Sequence, residues 1–564
     1  MKYLKQTLII IESRAKLKLI FLSALSIIKA FIEVAGFGLL IPILTLVTDS
    51  SKLEKLFHYF PFFKKLSEKE IMIILIALFL IIYFIKTVLI IGYNKFSAKY
   101  AANLFVNIST RILDQYLSKE YLFFAKHNSA EMIRNISGEA SLFAYGVVGN
   151  FVGLLSNIIL IFSICALLIV YNTHSIYVIF LLSLICYVVV QKNNKLIKLW
   201  GKIRQIESEK FLKKLNEIIG SIKEIILYNK SNFYQKESSG HLGQLANSTF
   251  YRDTSISISA PIIEFFGILI FFGMFAYLSV VENVQSSEIL VLFGIFAVAS
   301  MRLLPQTIQI VRALQSMKFN LPVINVVYNI LKNENLKIKI TDNKIDKLES
   351  LSFRKLYFKY KASKKNILSN VNFDLKINDV IGIIGPTGSG KTTLINLISG
   401  LIKPNKGKIL INNSSKLSLK DIRNKIGYVS QSVYLADDLM KYNISLKNKL
   451  TKDDEFKIKS LMKELNLNSL SINSKVGERG SRLSGGQIQR TGIARALFRN
   501  PKILIMDEST NALDSSTENK IIEYLSTISK NKIIIFCTHK KKLLKNCNKI
   551  FEVKNNQLKI IRNK

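Results

Sequence analysis

Acidic residues and cysteines are both scarce in this chain. Only 39 Asp and Glu stand against 79 Lys and Arg in 564 residues, a formal net charge of +40. Such an imbalance attracts polyanions, nucleic acid among them. No recognised nucleic-acid module is present, so no nucleic-acid partner is expected. Lysine is spread through ordinary loops such as Lys532 and Lys540 to Lys542, alongside abundant Asn and Ile, as an AT-rich coding bias would give. The anionic lipid of a cytoplasmic leaflet also tolerates a basic face. The four cysteines, Cys165, Cys186, Cys537 and Cys547, form neither a CxxC pair nor a Cys/His cluster. They read as reduced packing residues, which points to a reducing compartment for the soluble part. His58, His127, His174 and His241 lack ligand spacing and read as surface or interface residues. No small-residue cleavage site follows the charged N-terminus, so the first apolar stretch reads as a membrane anchor rather than a signal peptide.

Hydrophobic residues make up 49% of the chain while charged residues still make up 21%. That mixture fits a lipid-embedded part joined to a soluble one, and the length demands at least two domains. A bilayer crossing needs about 20 apolar residues. Six candidates occur, at 18–47, 71–93, 142–171, 175–192, 257–281 and 288–306. The connections at 94–141 and 193–256 are long, polar and helix-compatible; those at 172–174 and 282–287 are short and lack Lys and Arg. Basic residues flank the long connections (Lys95, Lys99, Lys195, Lys198, Lys202), which places them, and both termini, in the cytoplasm. The 48–70 segment should face outward despite five lysines. Leu53, Leu56, Phe57 and Phe60 recur there at helical spacing, fitting either an interfacial amphipathic helix or an ordinary packed loop. The expected organisation is a membrane domain over 1–325, a polar linker over 326–350 and a nucleotide-binding domain over 351–564. The last of these alternates β-rich and amphipathic helical runs.

The strand-like run Val380 to Ile384 leads into Gly385-Pro386-Thr387-Gly388-Ser389-Gly390-Lys391-Thr392, then into a helix-like run from Thr393. This is the phosphate-binding pattern G-x-x-x-x-G-K-[ST] in its required strand–loop–helix context. Glycines let backbone N–H groups curl around phosphate oxygens, and the helix N-terminus adds a favourable dipole. Lys391 can reach the β- and γ-phosphates, and the Thr392 hydroxyl can hold Mg²⁺. The strand Ile503 to Met506 ends in Asp507-Glu508: one carboxylate for the metal, one to orient or deprotonate the attacking water.

Further motifs give a specific resemblance to ABC transporters. Leu483-Ser484-Gly485-Gly486-Gln487 resembles the family's signature sequence, Asp507-Glu508 its Walker B ending, Gln431 its Q-loop, Asn511-Ala512-Leu513-Asp514 its D-loop and His539 its switch histidine. Tyr360 stands where the family places an adenine-stacking aromatic. The resemblance implies an all-α six-helix membrane domain followed by an α/β P-loop ATPase. It also implies ATP and Mg²⁺ as cofactors, with Thr393 and Gln431 near the nucleotide and Gln431 near the metal. In the family the signature residues Ser484 to Gln487 complete the opposite subunit's site, so hydrolysis by a homodimer is the simplest reading. Neither the ATPase motifs nor the spans are doubled, which fits a half-transporter. Asn511 replaces the usual Ser, Lys540 to Lys542 the common Arg-Leu-Ser, and Ser430 the frequent Pro; none of these removes a catalytic group. Tyr121 to Phe124 and Gly220 to Glu224 stand where coupling helices would be.

Charges inside the spans are the internal clue to cargo. Lys29 lies ~16 Å from the expected cytoplasmic edge, and Lys86 and Arg302 lie ~22 Å from the outer one, at 1.5 Å per residue. Together they could form a basic cavity for a phosphate or pyrophosphate headgroup. Alternatively Lys29 pairs with Glu33 on the same helix face while Lys86 and Arg302 snorkel. The whole chain resembles the PglK-type flippases through Phe31-Ile32-Glu33, His127 to Glu131 and Arg302-Leu303-Leu304-Pro305. That resemblance implies transport of a polyprenyl-pyrophosphate-linked oligosaccharide across the bacterial inner membrane for glycoprotein synthesis, with Arg302 as pyrophosphate contact. Export of a lipid A-like lipid, a drug or a peptide would use the same ATPase motifs.

Overall fold

The computed structural model describes residues 2–39, 42–43, 67–171, 173, 175–280, 286–332, 348–360, 363, 365–414 and 422–563. Contacts divide the chain into two units, Met1–Lys119 with Lys126–Lys337, and Glu120–Ala125 with Ile338–Lys564.

The first unit is helical. Its elements are α1 (Lys2–Ile10), α2 (Ser13–Gly38), α3 (Glu68–Leu117), α5 (Ser129–Ile133), α6 (Asn150–Tyr171), α7 (Ser175–Gly220), α8 (Ile222–Leu227), α9 (Ser231–Val280), α10 (Ser286–Phe319) and α11 (Leu321–Leu331). The intervening α4 (Tyr121–Phe124) groups with the second unit. Among the described residues, six helical stretches are long and apolar enough to cross a membrane, one at each expected position. Their outer faces expose Phe84, Phe162, Val170 and Phe180, side chains that lipid would cover. α3 has 50 residues, α7 46 and α9 50. At 1.5 Å per residue each is roughly 70 Å long, over twice the ~30 Å hydrocarbon core, so their polar halves project beyond the lipid. α3 starts on a capping box in which Ser67 and Glu70 satisfy each other's backbone N–H. Between α5 and α6 the chain winds through π-helical turns at Arg134–Glu139 and Leu142–Gly149.

Two boundaries differ from the sequence reading. A short helix, α1, precedes the first span, which begins at Ser13 rather than 18. The linker expected from 326 starts later, because α11 runs to Leu331 with Val327 and Leu331 buried. The polar run that suggested a linker begins only at Asn333, and 333–347 lie outside the described residues, as does all but the end of the 48–70 segment. His241 Nδ1 donates to the Glu207 carboxylate at 2.7 Å, joining α9 to α7.

The second unit is α/β. Strands β1 (Ser350–Phe358), β2 (Leu368–Lys376) and β4 (Lys406–Ile411) form an antiparallel sheet in the order β2-β1-β4. β3 (Val380–Ile384), β5 (Ile426–Val429), β6 (Ile503–Asp507), β7 (Ile533–Cys537), β8 (Lys549–Lys554) and β9 (Gln557–Asn563) form the second sheet, ordered β5-β6-β7-β3-β8-β9. Its pairs are parallel except β8–β9. β6 and β7 are buried at every position, which is why they read as unbroken apolar runs rather than alternating ones. Helix α12 (Lys391–Ile398) packs into one core with β1, β2 and β3, and α15 (Gly485–Phe498) into another with α13 (Met440–Ser445), α14 (Lys452–Glu464) and α16 (Ser515–Ile528).

Candidate functional site

The loop between β3 and α12 turns on Gly388 and Gly390, whose φ values of +80° and +104° put them in the left-handed region that a Cβ disfavours. Lys391 opens α12 and curls back so that Nζ donates to the carbonyls of Gly385 at 2.7 Å and Pro386 at 3.0 Å. Thr392 is exposed and Thr393 buried. The Ser389 hydroxyl is buried without a hydrogen-bond partner among the described residues. An orphaned donor inside an amide-rich loop at a helix N-terminus fits a phosphate oxygen. Tyr360 packs beside this core, its hydroxyl 3.3 Å from Thr393 Oγ1.

Two carboxylates close β6. Asp507 is buried, and burial raises its pKa although hydrogen bonds from Cys537 and Tyr428 pull the other way. The Tyr428 hydroxyl donates to Asp507 Oδ2 at 3.2 Å. Sequence reasoning passed over Tyr428 and Cys537; both reach Asp507 only because β5 and β7 flank β6. Glu508 takes a left-handed backbone at φ +47°, a strained conformation for a non-glycine residue. Its Oε2 accepts from Gln431 Nε2 at 2.9 Å and from Asn511 Nδ2 at 3.3 Å, and His539 Nε2 lies 3.9 Å from Oε1. The structure therefore brings Glu508, Gln431 and His539 together, and adds Asn511. Lys540, next to His539, donates to the Thr510 carbonyl at 2.9 Å and to Glu518 at 2.7 Å, tying the histidine's loop to the segment after Glu508.

Ser484 caps α15, exchanging bonds with Gln487 in a capping box. Gly485 and Gly486 follow in the first turn, and Gln489 accepts from Ala512 N at 3.0 Å. This helix is anchored in the core opposite to the one that holds α12. Among the described residues no three His, Cys, Asp or Glu cluster as metal ligands. A Mg²⁺ here would rest on Asp507, Thr392 and nucleotide oxygens, the usual arrangement for that ion. The Glu120–Ala125 segment belongs to this unit; Leu122 packs against the sheet core and Glu120 pairs with Lys403 at 2.9 Å.

A second constellation lies within the membrane unit. Lys86 Nζ contacts Glu33 Oε1 at 2.5 Å with both side chains buried, so Lys86 does not snorkel. Arg302 Nη1 lies 3.6 Å from the same oxygen. The Tyr83 ring faces both cations, with Lys86 Nζ 4.5 Å and Arg302 Cζ 5.5 Å from its centroid. These residues line a cavity of about 150 Å³ with Gly36, Phe37, Phe79, Ile164 and Val298. One turn beyond Arg302, Pro305 interrupts the backbone bonding of α10. Lys29 stands apart from that lining. It donates to Ser156 Oγ at 3.3 Å and sits 5.3 Å from the Tyr93 ring centroid, and the close partner of Glu33 is Lys86 instead.

Comparison with known proteins settles the family. Residues 19–303 match the ABC transporter transmembrane region and residues 368–511 the ABC transporter domain that follows it in such chains. The chain belongs to the ABC transporter family. Its architecture is that of an exporter-type half-transporter. It is 38% identical over 200 residues to a putative export ATP-binding/permease protein of Rickettsia typhi, covering 34% of each chain. It is 38% identical over 215 residues to the leukotoxin export protein LtxB of Aggregatibacter actinomycetemcomitans, covering 36% of this chain and 29% of that one. The chain thus spans about a third of the length of these relatives. A broader match, 21% identical over 482 residues, covers 83% of this chain and 81% of the ATP-dependent lipid A-core flippase of Ralstonia nicotianae. The fold is shared with a bacterial Atm1-family ABC exporter solved with ATP bound, at a TM-score of 0.77 and 16% identity over 97% of this chain and 94% of that one.

Proposed function

We propose that this ABC transporter chain hydrolyses ATP with Mg²⁺ as a homodimer. The energy would carry a polyprenyl-pyrophosphate-linked oligosaccharide across the bacterial cytoplasmic membrane for glycan or glycoprotein synthesis. The observation behind the substrate class is the cavity between the spans, where Lys86 and Arg302 share one carboxylate, Glu33. Ionisable groups at membrane depth are costly and mark substrate paths. A cavity with surplus positive charge suits a pyrophosphate headgroup.

In the nucleotide site, Lys391 exchanges the Gly385 and Pro386 carbonyls for the β- and γ-phosphates. The amides of Gly388 to Thr393 surround the phosphates, and Tyr360 stacks on adenine. Thr392, Asp507 and Gln431 would hold Mg²⁺, which would neutralise phosphate charge there. Glu508, held by Gln431 and Asn511, orients or deprotonates the attacking water, and His539 contacts the γ-phosphate. Ser484 to Gln487 complete the partner subunit's site. Tyr121 to Phe124 and Gly220 to Glu224 link ATP binding to the membrane helices, as a two-state coupled machine requires. Both termini face the cytoplasm.

A second reading, export of a different lipid, is favoured by the broad match to a lipid A-core flippase. Proteoliposomes offered polyprenyl-pyrophosphate glycan, lipid A, or neither distinguish the two. ATP-dependent movement of the glycan lipid alone is expected; movement of lipid A alone would overturn the proposal.

A further inference from the structure

We infer that Lys540 is a positioning residue for hydrolysis: by tying the His539 loop to the turn after Glu508, it fixes where the histidine stands relative to that carboxylate. This rests on the assignment of Glu508 and His539 to ATP hydrolysis. The residue opens the Lys540 to Lys542 run that stands in place of the common Arg-Leu-Ser.

His539 is exposed, and its ring contact with Glu508 is long, 3.9 Å from Nε2 to Oε1. The ring's own contacts therefore do little to place it, and the backbone of its loop has to. Thr538 is buried, and its N–H donates to the Ile383 carbonyl of β3 at 3.3 Å. The Thr538 hydroxyl accepts from Lys540 N at 3.1 Å, closing a turn around the histidine. Lys540 Nζ then crosses to the neighbouring loop. It donates to the Thr510 carbonyl at 2.9 Å and to the buried Glu518 carboxylate of α16 at 2.7 Å.

The Thr510 carbonyl belongs to the segment that holds Glu508. It also accepts from Leu513 N at 3.2 Å, which shapes the turn from Thr510 to Leu513, and Asn511 within that turn donates to Glu508. At the far end of the turn, Ala512 N is held by Gln489 of α15. Lys540 meets the turn beside Asn511, at the near end. Its charge is balanced by Glu518, so it adds little field at the γ-phosphate, and its effect is one of placement. Stability gives little reason for the pair, since apolar side chains of similar volume generally replace a buried ion pair without loss. Misplacing a reacting group by about 1 Å can cost about 100-fold in rate, so a link between these two loops bears on turnover more than on folding.

The test uses the detergent-solubilised full chain. Lys540→Met keeps the side chain's length without its ammonium, and Lys540→Met/Glu518→Gln removes both charges of the pair. Each should lower kcat for ATP hydrolysis by about tenfold or more, with KM within about twofold of wild type. Binding of trinitrophenyl-ATP in EDTA, which needs neither metal nor turnover, should stay within about twofold of wild type, while vanadate trapping of ADP falls with kcat. Lys540→Arg offers N–H groups to the same two acceptors and should stay within about threefold of wild-type kcat. If Lys540→Met folds poorly with Glu518 unpaired, the double variant, with no buried charge left alone, carries the same comparison. A wild-type kcat in Lys540→Met, a double variant that recovers what the single one loses, or weakened trinitrophenyl-ATP binding would overturn the role. Failure of the catalytic assignment shows separately, as hydrolysis that survives both Glu508→Gln and His539→Ala in the same assay.

Discussion

Asp507→Asn should make the nucleotide-free protein more stable while disabling it. Asp507 is 8% exposed at the end of β6, and burial is the largest cause raising its pKa above the ordinary 3.8. The folded chain therefore binds a proton at Asp507 more readily than the unfolded chain does. Stability is lost as pH rises from the unfolded value through the folded one, and the full cost is present at neutral pH. Asparagine removes the charge and keeps an oxygen for the Tyr428 hydroxyl, which now lies 3.2 Å from Oδ2. Taking the lower end of the penalty for an under-compensated buried polar group, the gain is about 1 kcal/mol at neutral pH. For a domain of roughly 150–250 residues that corresponds to about 2–4 °C. Thermal unfolding of the nucleotide-free full chain at pH 7.5 and pH 5, with amide exchange followed in β6 and β7, reads it. The gain should narrow toward acid as Asp507 itself becomes protonated, and hydrolysis should fall by at least about 100-fold. A variant less stable than wild type at pH 7.5, or a gain that grows toward acid, would refute the reasoning.

Asn511→Ala removes the longer of two amide contacts to Glu508, 3.3 Å against 2.9 Å. Steady-state kinetics should show kcat for ATP hydrolysis lowered by about threefold to tenfold with KM little changed. Glu139→Gln should destabilise the membrane unit by about 2 kcal/mol, because it takes the carboxylate from the half-buried Arg204 and one of two carboxylates from the buried Arg134, which keeps Glu209 at 2.5 Å. Glu139 is 1% exposed, with Arg204 3.3 Å and Arg134 3.8 Å away, and unfolding in detergent reads the loss. Burial pushes the thiols of Cys537 and Cys547 up to about 12. Both should resist maleimide at pH 7.5 in the folded chain and label only after unfolding.

The nucleotide loop was legible because its chemistry is local: glycines, Lys391 and Thr392 stand in one run between a strand and a helix. The spans were legible from composition, since about 20 apolar residues have few other uses. Tertiary neighbours were not. Glu33 sits one turn from Lys29, so the sequence suggests that pairing, yet packing of α2 on α3 delivers Lys86 from 53 residues away. Tyr428 meets Asp507 because β5 lies beside β6, a matter of strand order that no spacing reveals. The helix after Phe319 hid its extent for a different reason. Its apolar face continues to Leu331, but the polar run just beyond drew the expected linker too early.

The most direct test of coupled glycolipid transport measures hydrolysis and lipid movement in the same proteoliposomes for wild type, Glu508→Gln and Arg302→Ala. With polyprenyl-pyrophosphate glycan present, the wild type should hydrolyse ATP and move the lipid, and Glu508→Gln should do neither. Arg302→Ala should keep basal hydrolysis while losing most lipid movement. Glycan movement that persists unchanged in Arg302→Ala, or hydrolysis without any glycan movement in the wild type, would contradict the account.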